Sequence, residues 1–201
     1  ALELRNDIPE AFNGRAGIHL RRGALEEALR DFSQAIHLRP SWAGAWSNRA
    51  QTRRMSGDIE GSIADCEEAI RIDPTYAPAW QNRGIAKRDL RNFAGAKEDL
   101  DRAVVLDPRS PQGYVARAAI FEDLKDYPSA FADYAQALRV DPKCASAYGN
   151  RAALKAAIED FDGAFADYAE AIRLGAGHGT WYHNRGNLRQ QRKDFRGAIQ
   201  D

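Results

Sequence analysis

Six arginines and six aspartates recur at a fixed interval, and they are the charged groups best placed to act together. Arg15, Arg49, Arg83, Arg117, Arg151 and Arg185 share a 34-residue period. Asp31, Asp65, Asp99, Asp133, Asp167 and Asp201 keep the same period, and each follows one of the arginines at the same offset. A guanidinium presents a planar fork that matches a carboxylate. Such a pair does structural work, because an unpaired charge is costly to remove from water. One pair per repeat is expected, with Arg49 on Asp65, Arg83 on Asp99, Arg117 on Asp133 and Arg151 on Asp167. The alternative is an arginine reaching into solvent over an exposed aspartate.

Other chemistry is sparse. His19, His37, His178 and His183 are scattered, and no Cys or carboxylate stands beside them at metal-ligand spacing. No metal and no cofactor are expected. Gly175-Ala-Gly-His-Gly179 has the glycines of a phosphate loop, but it follows a helix pattern and not a strand. It reads as a glycine C-cap and a flexible junction. No nucleophile–base arrangement is present, so the chain is expected not to be an enzyme.

The elements that carry these residues follow from the same period. Pro40, Pro74, Pro108 and Pro142 keep it too. With Pro40 at position 32 of a 34-residue unit, full units run 9–42, 43–76, 77–110, 111–144 and 145–178. Residues 1–8 match the end of a preceding unit, and 179–201 make a partial one. Position 4 is aromatic (Phe12, Trp46, Trp80, Tyr114, Tyr148, Tyr182), and positions 8, 20 and 27 are small. Positions 17, 20, 24, 27 and 28 share one face of a second helix at amphipathic spacing. Small residues let two helix axes approach to roughly 8–10 Å. Gly, Asn or Asp near position 15 or 16 turns the chain and caps the second helix. The X-Pro pair ends that helix, because the residue before proline is pushed out of the α region. Each unit is therefore a helix A, a turn and a helix B. A period of this length denotes a solenoid.

This pattern is similar to the tetratricopeptide repeat family. Trp46, Ala50, Ile59, Ser62, Cys66, Ala69 and Pro74 carry the resemblance in one unit, and Trp80, Gly84, Phe93, Ala96, Leu100, Ala103 and Pro108 in the next. Position 7 is usually Leu in that family, so the arginine is a departure. The resemblance implies an all-α, right-handed superhelical solenoid running 1–201 as one array. It also implies that A helices line a concave groove which holds a partner protein or peptide.

Groove positions then read as follows. Position 6 gives an asparagine row of Asn48, Asn82, Asn150 and Asn184, whose amides suit one peptide unit each of an extended chain. Gln51 and Gln81 flank that row. Arg54 and Arg88 add a preference for acidic side chains. The alternative is that the asparagines serve helix packing or solvation. The family's two-carboxylate clamp needs basic residues at positions 2, 5 and 6 that are missing here, so binding of chaperone tails is not expected. Val115, Ala116, Ala119, Ala153, Ala156 and Ala157 form a small, smooth stretch suited to a helix or an apolar side chain.

Composition narrows the partners. Twenty-nine basic and 29 acidic residues cancel, which is not the footprint of a nucleic-acid binder. No run is long and apolar enough to insert into a membrane, and the cytoplasm is the expected compartment. Cys66 replaces the larger residues of position 24 and reads as a buried space-filler, while Cys144 lies in a turn. Both chain ends fall inside helix patterns, so a piece of a longer array is expected. Phe195 and Ile199 near one end suggest self-association as an alternative to partner binding. A docking arm of a larger enzyme is a further alternative.

Overall fold

The computed structural model describes residues 8–175 and 179–191. They form α1 (Pro9–Arg21), α2 (Leu25–Leu38), α3 (Ala43–Met55), α4 (Ile59–Ile72), α5 (Ala77–Asp89) and α6 (Phe93–Leu106). Then come α7 (Pro111–Asp123), α8 (Tyr127–Val140), α9 (Ala145–Ala157), α10 (Phe161–Leu174) and α11 (Gly179–Gln191). No strand is found among the described residues, and the fold is all-α. Odd-numbered helices start at the period read from the sequence, and even-numbered helices start at the same period. Two compact units result, Ala1–Asp107 and Pro108–Asp201. Phe195 and Ile199, the Ala176 junction, His178 and Asp201 lie outside the described residues.

Within each unit the small positions make the helix contacts. Ala28, Ala96, Ala130 and Ala164 of the B helices are fully buried, as are Ala16, Ala50, Ala118 and Ala152 of the A helices. A second joint, between one B helix and the next A helix, has its own small residue at position 3. Ala45 packs on Ala35 and Ile36, and Ala79 packs near Ala69.

Turns and caps explain where the helices start and stop. Asp58, Asn92, Asp126 and Asp160 each accept a hydrogen bond from the backbone N–H three residues on, at the N-termini of α4, α6, α8 and α10. Just before each cap the chain passes through the left-handed region. Gly23 and Gly57 do so at no steric cost, but Arg91, Lys125 and Glu159 have φ of 59°, 61° and 66°. Each B helix ends on an extended residue, Asp73 at φ −138° for example. Gly175 ends α10 in the same register although no proline follows it.

Gly175 has a further role in packing. A Cβ there would lie 2.7 Å from the Trp181 ring, and one on Gly149 would lie 2.3 Å from its Nε1. Trp181 occupies position 3 of the last repeat, where the others have Ala or Gly, and these two glycines make room for it.

Candidate functional site

The recurring arginine and aspartate meet in every repeat whose two residues are described. Arg15 donates from Nε and Nη2 to Asp31 at 2.6 and 2.7 Å. Arg49 does the same to Asp65 at 2.8 and 2.8 Å, and Arg83 to Asp99 at 2.9 and 2.7 Å. In the second unit Arg117 grips Asp133 at 2.7 and 2.7 Å, and Arg151 grips Asp167 at 2.7 and 2.7 Å. Two parallel bonds tie helix A to helix B at one fixed register. The sixth pair, Arg185 with Asp201, includes a residue outside the described ones.

Each arginine also lies over the aromatic three residues earlier on its own helix. The guanidinium of Arg49 lies 4.9 Å from the Trp46 ring centre, and that of Arg83 lies 4.9 Å from Trp80. Tyr114, Tyr148 and Tyr182 hold Arg117, Arg151 and Arg185 at 5.9, 5.5 and 5.8 Å. The aromatic's polar tip then returns to the turn before its helix. Trp46 Nε1 donates to the Pro40 carbonyl at 2.9 Å, and Trp80 Nε1 to that of Pro74 at 3.0 Å.

A second base completes the cluster and escaped the sequence reading. Position 11 holds Arg53, 3.0 Å from Asp65; Lys87, 2.8 Å from Asp99; and Lys155, 2.9 Å from Asp167. His19 stands 3.8 Å from Asp31. Residue type varies there, and Phe121 interrupts it, so the repeat signal is charge and not identity. Hydrogen bonds from Arg15 hold the Asp31 carboxyl below its usual range. Burial would raise that of Asp167, and the bonds from Arg151 and Lys155 outweigh it and lower it. The Arg49 side chain is 13% exposed and contacts Ser33 on the preceding helix B, whereas the Arg15 side chain is 58% exposed.

Cys66 is fully buried, and burial pushes its thiol up to about 12. Ser47, Thr52 and Ser62 are buried in the same repeat, and Ser62 Oγ has no hydrogen-bond partner among the described residues.

The A-helix face differs between the units. In the first, Asn48 Nδ2 donates to Asn13 Oδ1 at 3.1 Å. Asn82 Nδ2 reaches the Ser47 carbonyl and hydroxyl at 3.1 and 3.0 Å. Both amides therefore join adjacent A helices, and their Oδ1 atoms accept nothing from the described residues. Arg54 donates to Asp89 of the next repeat at 3.0 Å, and Arg88 is engaged within the chain. Gln51 is exposed and Gln81 half-buried, and neither side chain hydrogen-bonds within the described residues.

In the second unit the preceding position 5 is Val115, which offers Asn150 no side-chain oxygen. Asn150 is exposed, and its side-chain amide hydrogen-bonds to nothing described. Asn184 lies apart from that pattern, hydrogen-bonded to Tyr168. Ala153 and Ala157 are exposed on the same side of α9 as Asn150, while Val115, Ala116, Ala119 and Ala156 are half-buried. Among the described residues no helix is long and apolar enough to cross a membrane.

Comparison with known proteins agrees with this geometry. No curated protein matches the sequence. A chain of the APC/C hetero-tetramer Cut9–Hcn1 is similar in structure, with a TM-score of 0.87 at 17% identity, over 99% of this chain and 40% of that one. This chain thus spans well under half of that protein's length. A thermophilic repeat protein of Thermus thermophilus is similar at a TM-score of 0.82 and 18% identity, over 90% of this chain and 98% of that one. The first repeat domain of Spaghetti, bound to an HSP90 peptide, has a TM-score of 0.55 at 19% identity, covering 62% of this chain and 99% of that one. Such identities speak to the fold alone. Tetratricopeptide repeats match in sequence over residues 16–77, 82–138 and 126–178, most of the chain. With the helix pairs and small-residue joints described above, that match means that the chain belongs to the tetratricopeptide repeat family.

Proposed function

We propose that this chain is a non-enzymatic interaction scaffold that holds an extended peptide or a helix of a partner protein against its A-helix faces. The family's fold supports protein–protein interaction in general. The finer reading rests on one observation. Asn150 is exposed and unpaired on a face with exposed Ala153 and Ala157, whereas Asn48 and Asn82 spend their N–H groups on neighbouring helices. An unpaired carboxamide offers a donor and an acceptor to one peptide unit, and the alanines let a main chain or helix come close. In the first unit, Gln51, Gln81 and the Oδ1 atoms of Asn48 and Asn82 are the groups offered to a ligand, while Arg54 and Arg88 tune charge beside them. Asn184 on α11 holds the same repeat position and would offer a ligand only what its bond to Tyr168 leaves open.

The HSP90 peptide bound by the Spaghetti domain is not extended to this chain. Position 2 of the repeats is Glu10, Gly44, Pro78, Gln112, Ser146 and Thr180, with no base to hold a terminal carboxylate. The cytoplasm is the proposed compartment.

A displayed library of random linear peptides tests the reading. Enrichment of binders that protect the Asn150 side-chain amide and the α9 backbone in NMR titration is the expected result. Binders that map only to the B-helix faces would overturn it.

A further inference from the structure

At the start of α3, where the chain enters that helix, the first unit contains a cleft whose lining the later repeats do not share. It has a volume of about 530 Å³ and is lined by residues 41–44 together with Ile72, Asp73 and Tyr76. Position 34 contributes Trp42 and Tyr76 here, but Ser110 and Cys144 in the later repeats. Position 2 contributes Gly44 here, but Pro78, Gln112 and Ser146 later. A Cβ on Gly44 would lie 3.0 Å from Trp42 Nε1 and 3.5 Å from the Tyr76 hydroxyl, so both ring tips converge on this glycine. Neither the indole N–H nor the phenol has a hydrogen-bond partner among the described residues.

Asp73 is the charged residue in that lining. Its Oδ1 accepts from the Thr75 backbone N–H at 2.9 Å and from the Thr75 hydroxyl at 2.7 Å. No described cation pairs with it. Arg39 stands over the Trp42 ring at 5.3 Å, and its charge is answered by Glu10 at 2.6 Å. The cleft therefore has a net negative charge, an apolar wall in Ile72 and the two rings, and two vacant donors.

We propose that this cleft takes a lysine or arginine side chain from a peptide. The cation pairs with the open oxygen of Asp73, and its methylene stem lies along Ile72 and the rings. An adjoining main-chain carbonyl accepts from Trp42 and Tyr76. A cavity of this size holds one long side chain and its backbone. The site is built from Asp73 and two rings of the first unit and uses no residue of the asparagine row, so it stands or falls separately from the function proposed above.

The test uses the isotopically labelled chain and three capped tripeptides with Arg, Lys or Glu between two glycines. The expected result is a saturable shift of the Trp42 indole resonance with the Arg and Lys peptides, at a dissociation constant below about 5 mM. The Glu peptide should produce none. Asp73→Asn keeps the Thr75 bonds through its own Oδ1 and should weaken binding by about three- to tenfold with an unchanged melting temperature. Ala153→Arg should leave this titration untouched. An indole that does not respond, equal binding of the Glu peptide, or indifference to Asp73→Asn would each overturn the proposal.

Discussion

Asn82 in the first unit and Asn150 in the second occupy the same place in their repeats and have opposite surroundings. Asn82 finds Ser47 on the neighbouring A helix and bonds to it, whereas Asn150 has Val115 at the matching position and stays exposed. The ion pairs show no such contrast: Arg49 with Asp65 and Arg151 with Asp167 have nearly the same geometry. Register alone therefore fixes what holds a helix pair together. What a repeat leaves open to a partner depends on the neighbouring repeat.

The largest effects should be common to both units. Asp65→Ala and Asp167→Ala each strand a mostly buried guanidinium and a second base, at a cost of about 3–5 kcal/mol in unfolding free energy. Urea denaturation measures both, and a large cost in only one unit would break the symmetry. Acid should act through the Asp31 and Asp167 pairs. The Asp31 and Asp167 carboxyls are held below the ordinary value of 3.8. A depressed pKa stabilises the fold at pH above the unfolded value and loses that effect as pH falls through the folded one. The melting temperature should therefore be flat from neutral pH down to about pH 4 and fall below it. Asp167→Asn should flatten that fall.

Smaller effects should divide the units. Asn82→Ala removes bonds between adjacent helices and should cost about 1 kcal/mol. Asn150→Ala loses no internal bond, and with alanine's helix propensity it should change stability by less than about 0.5 kcal/mol. Equal costs would erase the distinction between bonded and open asparagines. Ser62→Ala sharpens it from the interior. The serine hydroxyl is buried without a described partner, whereas Ala28 and Ala96 in the same unit and Ala130 and Ala164 in the second stand at that position. Its removal should stabilise the first unit by about 1 kcal/mol in the same denaturation assay.

Much of this was legible in the sequence. The 34-residue period placed the helix starts, and Arg49 and Asp65 stood out because their types never change between repeats. The second base was harder to see, since His19, Arg53, Lys87 and Lys155 share only a charge. The packing role of Asn48 and Asn82 stood only as the alternative reading, for a different reason. Their partners, Asn13 and Ser47, lie in the preceding repeat, so a reading made one repeat at a time misses the bond. Trp181 was hidden because it breaks a pattern of small residues. The space for it comes from Gly149 on α9 and Gly175 at the end of α10, at positions where no repeat pattern points to a tryptophan.

We propose that the A-helix face around Asn150 takes partner contact while the ion pairs serve the fold. Ala153→Arg tests it most directly, measured by calorimetric titration of a peptide selected against the unmodified chain. An exposed alanine replaced by a long cation should leave the melting temperature within about 2 °C. It should weaken the peptide at least about tenfold. Unchanged peptide affinity in the folded variant would contradict the account.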